Sequence, residues 1–303
     1  MAERNQNDEL QDGQLTQAIL VLAAAERLGR DVIEILNETE PRIAALIRSS
    51  KATRLTSAAD FRRLTKLLND IRRVRGRAWR TIEARVEREL TALAKEQPRK
   101  FRQLVNSVAG RTPLEMPNET VLERLVREGE LQGRTIPDWL VKQREDDDAR
   151  ISNQVRFGVM SGESPDRVIR RVFGTAAVLG ANGATEEARR RLFEIVVLSG
   201  LYVANEASRA FVVANGDTFD RELYLAILDN RTTEICRSLN RRIFKVGEGP
   251  YPPLHFWCRS IRIFLMPGAR PADITSLGAW LDTQPASVRK MLDEARAERF
   301  KRR

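Results

Sequence analysis

The sequence predicts a mainly α protein with a small α+β module, an elongated helical chain with a short antiparallel sheet near residues 218–267. Three observations lead there. Apolar residues recur at a period near 3.6 over most of the first 215 positions. Beyond Asp217 the period changes to 2 in short stretches. Proline and glycine cluster at residues 111–137 and again at 247–253, where a chain of this kind turns.

Residues 1–14 are polar and are expected to be disordered. From Leu15 the residues Ile19, Leu22, Leu28, Ile35, Ile43 and Leu46 fall at helical spacing, with interruptions expected at Gly29 and at Glu40-Pro41. Two or three helices should fill residues 15–50. Ser57 and Asp60 have the spacing of a capping box. A long helix should follow near 57–97, with Phe61, Leu64, Leu68, Ile71, Val74, Trp79, Ile82, Val86, Leu90 and Leu93 on one stripe. Roughly 40 residues at ~1.5 Å each give a rod of about 60 Å. Gly76 is a candidate bend, and Pro98 should stop the helix. A second helix is expected over 100–108, ending at Gly110.

Residues 111–137, with Pro113, Pro117 and Pro137, form the expected boundary between a helical region 15–137 and a second one at 138–217. A short helix should interrupt that boundary near 121–130. A helix over 139–157 contains the acids Glu145, Asp146, Asp147 and Asp148. Consecutive helical residues point in different directions, so this run reads as a solvated face rather than a metal site. Ser164-Pro165-Asp166 starts another helix. The glycines of 174–183 form a flexible turn and lack the context of a phosphate loop. Residues 185–215 return to helix.

In the module 218–267, residues 224–228 read as a buried strand, and 242–246 and 260–264 alternate as strands do. Thr232 or Thr233 can cap a short helix over 234–239, and Asn240 tolerates the left-handed conformation needed to leave it. The last part, 268–303, is a basic helical tail. Its Lys301, Arg302 and Arg303 are candidate contacts to nucleic-acid phosphates.

Lys and Arg total 52 against 42 Asp and Glu, a net charge of +10 and a pI near 10.2. This favours an acidic partner such as double-stranded DNA, or else a merely basic solvated surface. Two cysteines exclude a disulfide framework. With no apolar signal core and no apolar run near ~20 residues, the expectation is a soluble chain made in a reducing cytoplasm, without a membrane partner.

The chemically distinctive residues are concentrated at 224–264, which holds the single histidine, His255, and both cysteines, Cys236 and Cys258. Asp229-Asn230-Arg231-Thr232, then Cys236, Leu239, Pro252-Pro253, His255 and Cys258-Arg259, resemble the signature of phage head-morphogenesis proteins, the phage Mu F-like minor head proteins. That pattern is Asp-x-Arg-Thr-Cys-x-x-Cys, a hairpin, then Pro-Pro-x-His-x-x-Cys-Arg-Cys. Trp280-Leu281-Asp282-Thr283-Gln284-Pro285 is similar to a tail of the same family; the resemblance covers residues 151–303, and residues 1–150 are compatible with it in character alone. Two positions depart from it: Thr233 and Ser260 stand where the family has cysteine.

The resemblance implies a minor capsid protein acting in procapsid and head morphogenesis. Its partners would be the portal protein, the major capsid or scaffolding protein, and packaged DNA. It would reside in the virion head or at the portal vertex, and in the host cytoplasm during assembly. It also implies a binding role without turnover. Within the motif, Asp229, Arg231, Thr232, Pro252, Pro253 and Arg259 would be structural. Cys236, His255 and Cys258, with Asp229 as a fourth ligand, are the candidate zinc set. The alternative for the same residues is a packing and hydrogen-bonding knot with no cofactor. The alternative function is a metal-dependent DNA-processing or toxin-like enzyme using Cys236, His255 and Cys258. A plain basic DNA-binding protein is a third.

Overall fold

The computed structural model describes residues 6–50, 56–110, 113–175, 182–226, 228, 230, 232–271, 274, 280, 283–287, 289 and 290. It is mainly α with a small antiparallel sheet, as the periodicities require. The helices are α1 (Gln6–Asn37), α2 (Glu40–Ser49), α3 (Ala58–Ala109), α4 (Glu119–Arg127), α5 (Ile136–Met160), α6 (Pro165–Phe173), α7 (Glu186–Ala214) and α8 (Glu234–Leu239). The strands are β1 (Glu130–Leu131), β2 (Arg134–Thr135), β3 (Arg221–Leu225), β4 (Ile243–Lys245) and β5 (Ile261–Leu265).

The chain does not divide in the linear order expected from its prolines. Of the described residues, one compact unit takes those within 6–27, 87–136 and 196–290, and the other those within 28–86 and 137–195. The boundaries fall inside α1, α3 and α7. Residue 137 does mark one boundary, but helices that run through the others carry no composition signal there.

Among the described residues, the regular structure of the second unit is all helix. Ile43 and Ile47 of α2, Leu64, Leu68 and Ile71 of α3, Ile151 and Val155 of α5, and Val168 and Val172 of α6 make its core. The capping box forms as the sequence predicts: Ser57 N donates to Asp60 Oδ2 at 2.9 Å, and Asp60 N to Ser57 Oγ at 3.3 Å. Ser164 and Pro165 start α6, also as predicted. Gly29 does not interrupt α1. A Cβ there would stand 2.8 Å from Phe193 Cδ2, so the glycine admits a ring rather than a break.

The acidic run of α5 is not uniformly solvated. Asp147 is fully buried, and Arg75 Nε and Nη2 donate to it at 2.7 and 3.2 Å. Trp79 Nε1 donates to the same carboxylate at 2.8 Å. The remaining Arg75 nitrogen donates to Leu36 O and Thr39 Oγ1. Four consecutive helical residues sweep most of a turn, so one of them had to face inward. Asp146 and Asp148 instead pair with Lys142 and Arg72 at the surface.

The first unit holds both sheets. β1 and β2 form a hairpin over Gln132 and Gly133, both at positive φ as a tight primed turn demands. The larger sheet has the order β4-β3-β5, antiparallel throughout, with Leu223 opposite Ile243 and Ile263. The first strand lies three residues earlier than expected, at 221–225. A charged start, Arg221-Glu222, hid a strand whose Glu222 is buried against a charge of opposite sign. α8 lies where expected, but Arg241 at φ 64, not Asn240, takes the left-handed conformation. Asn240 Oδ1 is committed to accepting the Ala226 amide at 2.9 Å.

Two further expectations are corrected. Residues from Gln6 onward are helical, and Leu10, Gln11, Gln14 and Leu15 are buried. The reason is the open edge of β5. Gln14 donates to Phe264 O at 3.0 Å and accepts Phe264 N at 2.8 Å, satisfying backbone that no strand covers. Second, α3 continues through Pro98. The apolar stripe runs on as Leu90, Ala94, Phe101 and Val105, all buried, and Phe101 packs against Phe211, Phe219 and Phe264. That packing outweighs the roughly 3 kcal/mol an internal proline costs.

Trp280 is buried with Leu15, Ile19, Leu223 and Ile263, and its Nε1 donates to Asp12 Oδ1 at 2.8 Å. Gln284 Nε2 donates back to Trp280 O. α7 is the one helix among the described residues long and apolar enough to cross a bilayer, an exception to the expectation of no such run. Of the qualifying window 67% is buried inside the protein.

Asp147→Ala would leave Arg75 charged and buried beside an unpaired Trp79 N–H. Urea unfolding should report a loss of about 3–5 kcal/mol. The Ser57 hydroxyl and then Arg63 hold the Asp60 carboxyl well below the usual carboxylate range. Its stabilising effect is therefore full above the unfolded-chain value of about 3.9 and fades as pH falls below that toward the folded value. Asp60→Ala should lower the melting temperature at neutral pH, and the difference from wild type should shrink below about pH 3.9.

Candidate metal centre

Cys236, His255 and Cys258 come together in the first unit. Their ligand atoms lie within 4.8 Å of one another. Cys236 Sγ is 3.2 Å from His255 Nε2 and 3.8 Å from Cys258 Sγ. Both cysteines are almost fully buried, at 2% and 1% exposure, and the imidazole is half-buried.

Each residue is delivered by a definable piece of chain. Cys236 sits in the middle of α8, whose N-cap is Thr233. That cap uses its backbone conformation alone. Its hydroxyl lies 2.9 Å from His255 Nε2 instead of on an amide of its own helix. His255 and Cys258 follow the loop 247–253, which contains the cis peptide Pro252-Pro253. Cys258 N donates to His255 O at 3.1 Å, with Trp257 at φ 66 making the tight turn between them.

The loop is held from beneath by a buried ion pair. Glu222 of β3 and Arg262 of β5 have fully buried side chains, with Arg262 Nη1 3.4 Å from Glu222 Oε2. Glu222 Oε1 accepts the Gly247 amide at 2.9 Å. Arg262 Nη2 donates to Glu248 O at 3.0 Å and to Pro250 O at 2.8 Å. Its guanidinium also lies over the Phe244 ring at 4.3 Å and faces Tyr251 and Tyr224. From α7, Arg209 donates to Gly247 O and Asn205 to Pro252 O. Burial pushes the Glu222 carboxyl up, against the pull of the Gly247 amide and Arg262, and it pushes the Arg262 guanidinium down.

The histidine tautomer follows from its neighbours. Nδ1 is 2.6 Å from Phe256 O, which can only accept, so Nδ1 carries the hydrogen. Nε2 then presents its lone pair to Thr233 and Cys236. This is how metal-ligating histidines are oriented. Burial, the largest single influence on Cys236, pushes its thiol up. Hydrogen bonds with Ser260, Tyr224, Thr233 and His255 together outweigh it and bring the thiol down to about 7. Tyr224 OH is 3.4 Å from that sulfur. Cys258, more deeply enclosed, is pushed up by burial.

Thr233 and Ser260, the two departures from the cysteine pattern, both reach the cluster. Ser260 is buried, and its hydroxyl pulls the thiols of both cysteines down. Positions 233, 236, 255 and 258 therefore meet in one cluster with Ser260 buried two residues on, and hydroxyls stand where the pattern has two of its thiols. Asp229, Arg231, Lys301, Arg302 and Arg303 lie outside the described residues. Thr232 accepts a hydrogen bond from Arg237 Nε through its carbonyl, and Arg259 is half-buried beside Cys258. Pro252 and Pro253 present their carbonyls to Asn205 and Gln132. The sequence reading missed Glu222, Arg262 and Tyr224. Arg262 stands in the alternating stretch 260–264 at a position that faces inward, and that was the available signal.

The donor set fits zinc. Zn–S bonds of about 2.3 Å at a tetrahedral centre place two thiolates roughly 3.8 Å apart, the separation Cys236 and Cys258 already have. Cys236, His255 and Cys258 would hold the ion, which would supply a cross-link between α8 and the 247–260 segment. No family model, no curated protein and no solved structure matches the chain.

Arg262→Met removes the cation and leaves Glu222 buried and unpaired. Unfolding should show a loss of about 3–5 kcal/mol. The thiols of Cys236 and Cys258 should become reactive toward alkylation at temperatures where the wild-type thiols are protected.

Proposed function

We propose that this chain is a minor head protein of the phage head-morphogenesis type, which works by binding during procapsid assembly, and that its cysteine–histidine cluster holds one structural zinc ion. The observation that supports this most is the meeting of Thr233, Cys236, His255 and Cys258 in one part-buried cluster, with Ser260 buried two residues on. Positions scattered over 28 residues of unrelated sequence have no reason to meet there. Burial supports a structural role over a catalytic one. Two sulfurs at 2% and 1% exposure offer no approach to a macromolecular substrate.

The portal protein is the proposed principal partner, with the major capsid or scaffolding protein as the second, in the head or at the portal vertex. The test is co-purification with the portal protein, followed by peptide mass spectrometry of finished particles. Recovery of this chain in particles, crosslinked to the portal, is the expected outcome. Its confinement to the infected cytoplasm would contradict the reading.

The enzyme alternative has one observation in its favour, the 3.2 Å contact between Cys236 and His255 with the thiol lowered to about 7. His255→Ala separates the two. The structural reading expects zinc content to fall from about one ion per chain, together with a lower melting temperature and lost assembly. Unchanged melting and assembly, with a nuclease or hydrolase activity abolished, would favour the enzyme.

A further inference from the structure

We infer that the solvent face of α3 between Arg62 and Arg80 is a binding surface for the phosphate backbone of double-stranded DNA. At 3.6 residues per turn, positions 62, 66, 69, 73, 77 and 80 fall within roughly 80° of arc. They are Arg62, Lys66, Asn69, Arg73, Arg77 and Arg80, and all are exposed. They run about 27 Å along the helix at ~1.5 Å per residue.

Arg62, Lys66, Arg77 and Arg80 have no ion-pair partner among the described residues, in a chain where most other surface arginines of α3 do. Arg63, Arg72 and Arg85 pair with Asp60, Asp148 and Asp31. Asp70, at the margin of the stripe, is held by Arg73 at 3.3 Å. Glu83, on the flank toward α5, is held by Arg144 at 2.9 Å. The nearby acids are thus occupied, Asp70 by one member of the row, and the four unpaired cations keep their field.

Gly76 adds an independent observation. Glycine is among the worst residues for a helix interior, yet nothing inside the protein requires it here. A Cβ at Gly76 would meet only Arg80 Nη1, at 3.9 Å. The position flanks the stripe and leaves a shallow notch between Arg73 and Arg80, where a ligand's backbone can approach closely.

The character of the face selects the ligand. A protein partner would want aromatic or aliphatic anchors at the centre, and the stripe has none between Arg62 and Arg80. An anionic membrane would want an apolar face to insert, but the apolar face of α3 is committed to the core through Leu64, Leu68, Ile71 and Ile82. A linear polyanion needs only cations in a row with small polar residues between them. The inference does not depend on the head-morphogenesis reading, since duplex binding by the purified chain involves no portal or particle.

The test is fluorescence anisotropy with a labelled DNA duplex of arbitrary sequence, titrated from about 50 to about 200 mM salt. The full-length variant carrying Arg62→Gln, Lys66→Gln, Arg77→Gln and Arg80→Gln changes only exposed side chains. Its affinity should fall at least ~30-fold, and the slope of log K against log salt should shrink by about 3 to 4. Replacing the three arginines by lysine should keep the slope. Gly76→Leu should weaken binding while leaving the circular dichroism spectrum and melting temperature intact or improved. Three results would overturn the inference: no duplex binding at about 50 mM salt, wild-type affinity and slope in the glutamine variant, or tighter binding to phosphatidylglycerol vesicles than to DNA that the same variant abolishes.

Discussion

The cluster depends on one interaction, the buried pair of Glu222 and Arg262. Two charges in an apolar interior are worth little as a source of stability, because desolvation nearly cancels their attraction. Their value is positional. Glu222 holds Gly247, and Arg262 holds Glu248 and Pro250, so the start of the loop is fixed to the middle of the sheet. The far end of the loop is then obliged to place His255 beside α8. The aromatic rings of Phe244, Tyr224 and Tyr251 around the guanidinium supply part of what water would otherwise give it.

The second unit uses the same device with a different outcome. Arg75 and Asp147 are also buried, but their hydrogen bonds are nearly complete: two to the carboxylate, two to Leu36 and Thr39, and one from Trp79. That pair locks helices together. The Glu222–Arg262 pair is less fully bonded, with Glu222 Oε2, Arg262 Nε and Nη1 and the Tyr251 hydroxyl lacking a hydrogen-bond partner among the described residues. A network in this condition is sensitive to any change near it, which fits a place where a loop has to be aimed rather than merely anchored.

Much of the fold was legible in the sequence, because period and capping are local properties. The α3 stripe, the Ser57–Asp60 box, the Pro165 helix start and α8 could all be read from spacing. What escaped was decided by distant residues. Residues 6–14 looked too polar to fold, since nothing local says that Gln14 completes the edge of β5, 250 positions away. Pro98 looked like a stop because the phenylalanine cluster waiting for Phe101 is assembled from α7 and β5. Asp147 looked solvated because its partner is 72 residues earlier. For the site, the cysteine and histidine positions were visible, and so were the two departures. Their meaning was not. Thr233 and Ser260 looked like losses, and only the geometry puts the Thr233 hydroxyl on the imidazole and buries Ser260 close behind Cys258.

If the fold rather than a metal brings these residues together, the thiols should be protected in the metal-stripped protein. The direct measurement is the alkylation rate of Cys236 and Cys258 in native protein treated with a strong chelator, set against the urea-unfolded chain. Labelling slower than in the unfolded chain by a hundredfold or more is expected, a ratio that corresponds to about 2.7 kcal/mol of local protection. Labelling at the unfolded rate, with the helical signal intact, would show that the cluster does not exist until a metal assembles it.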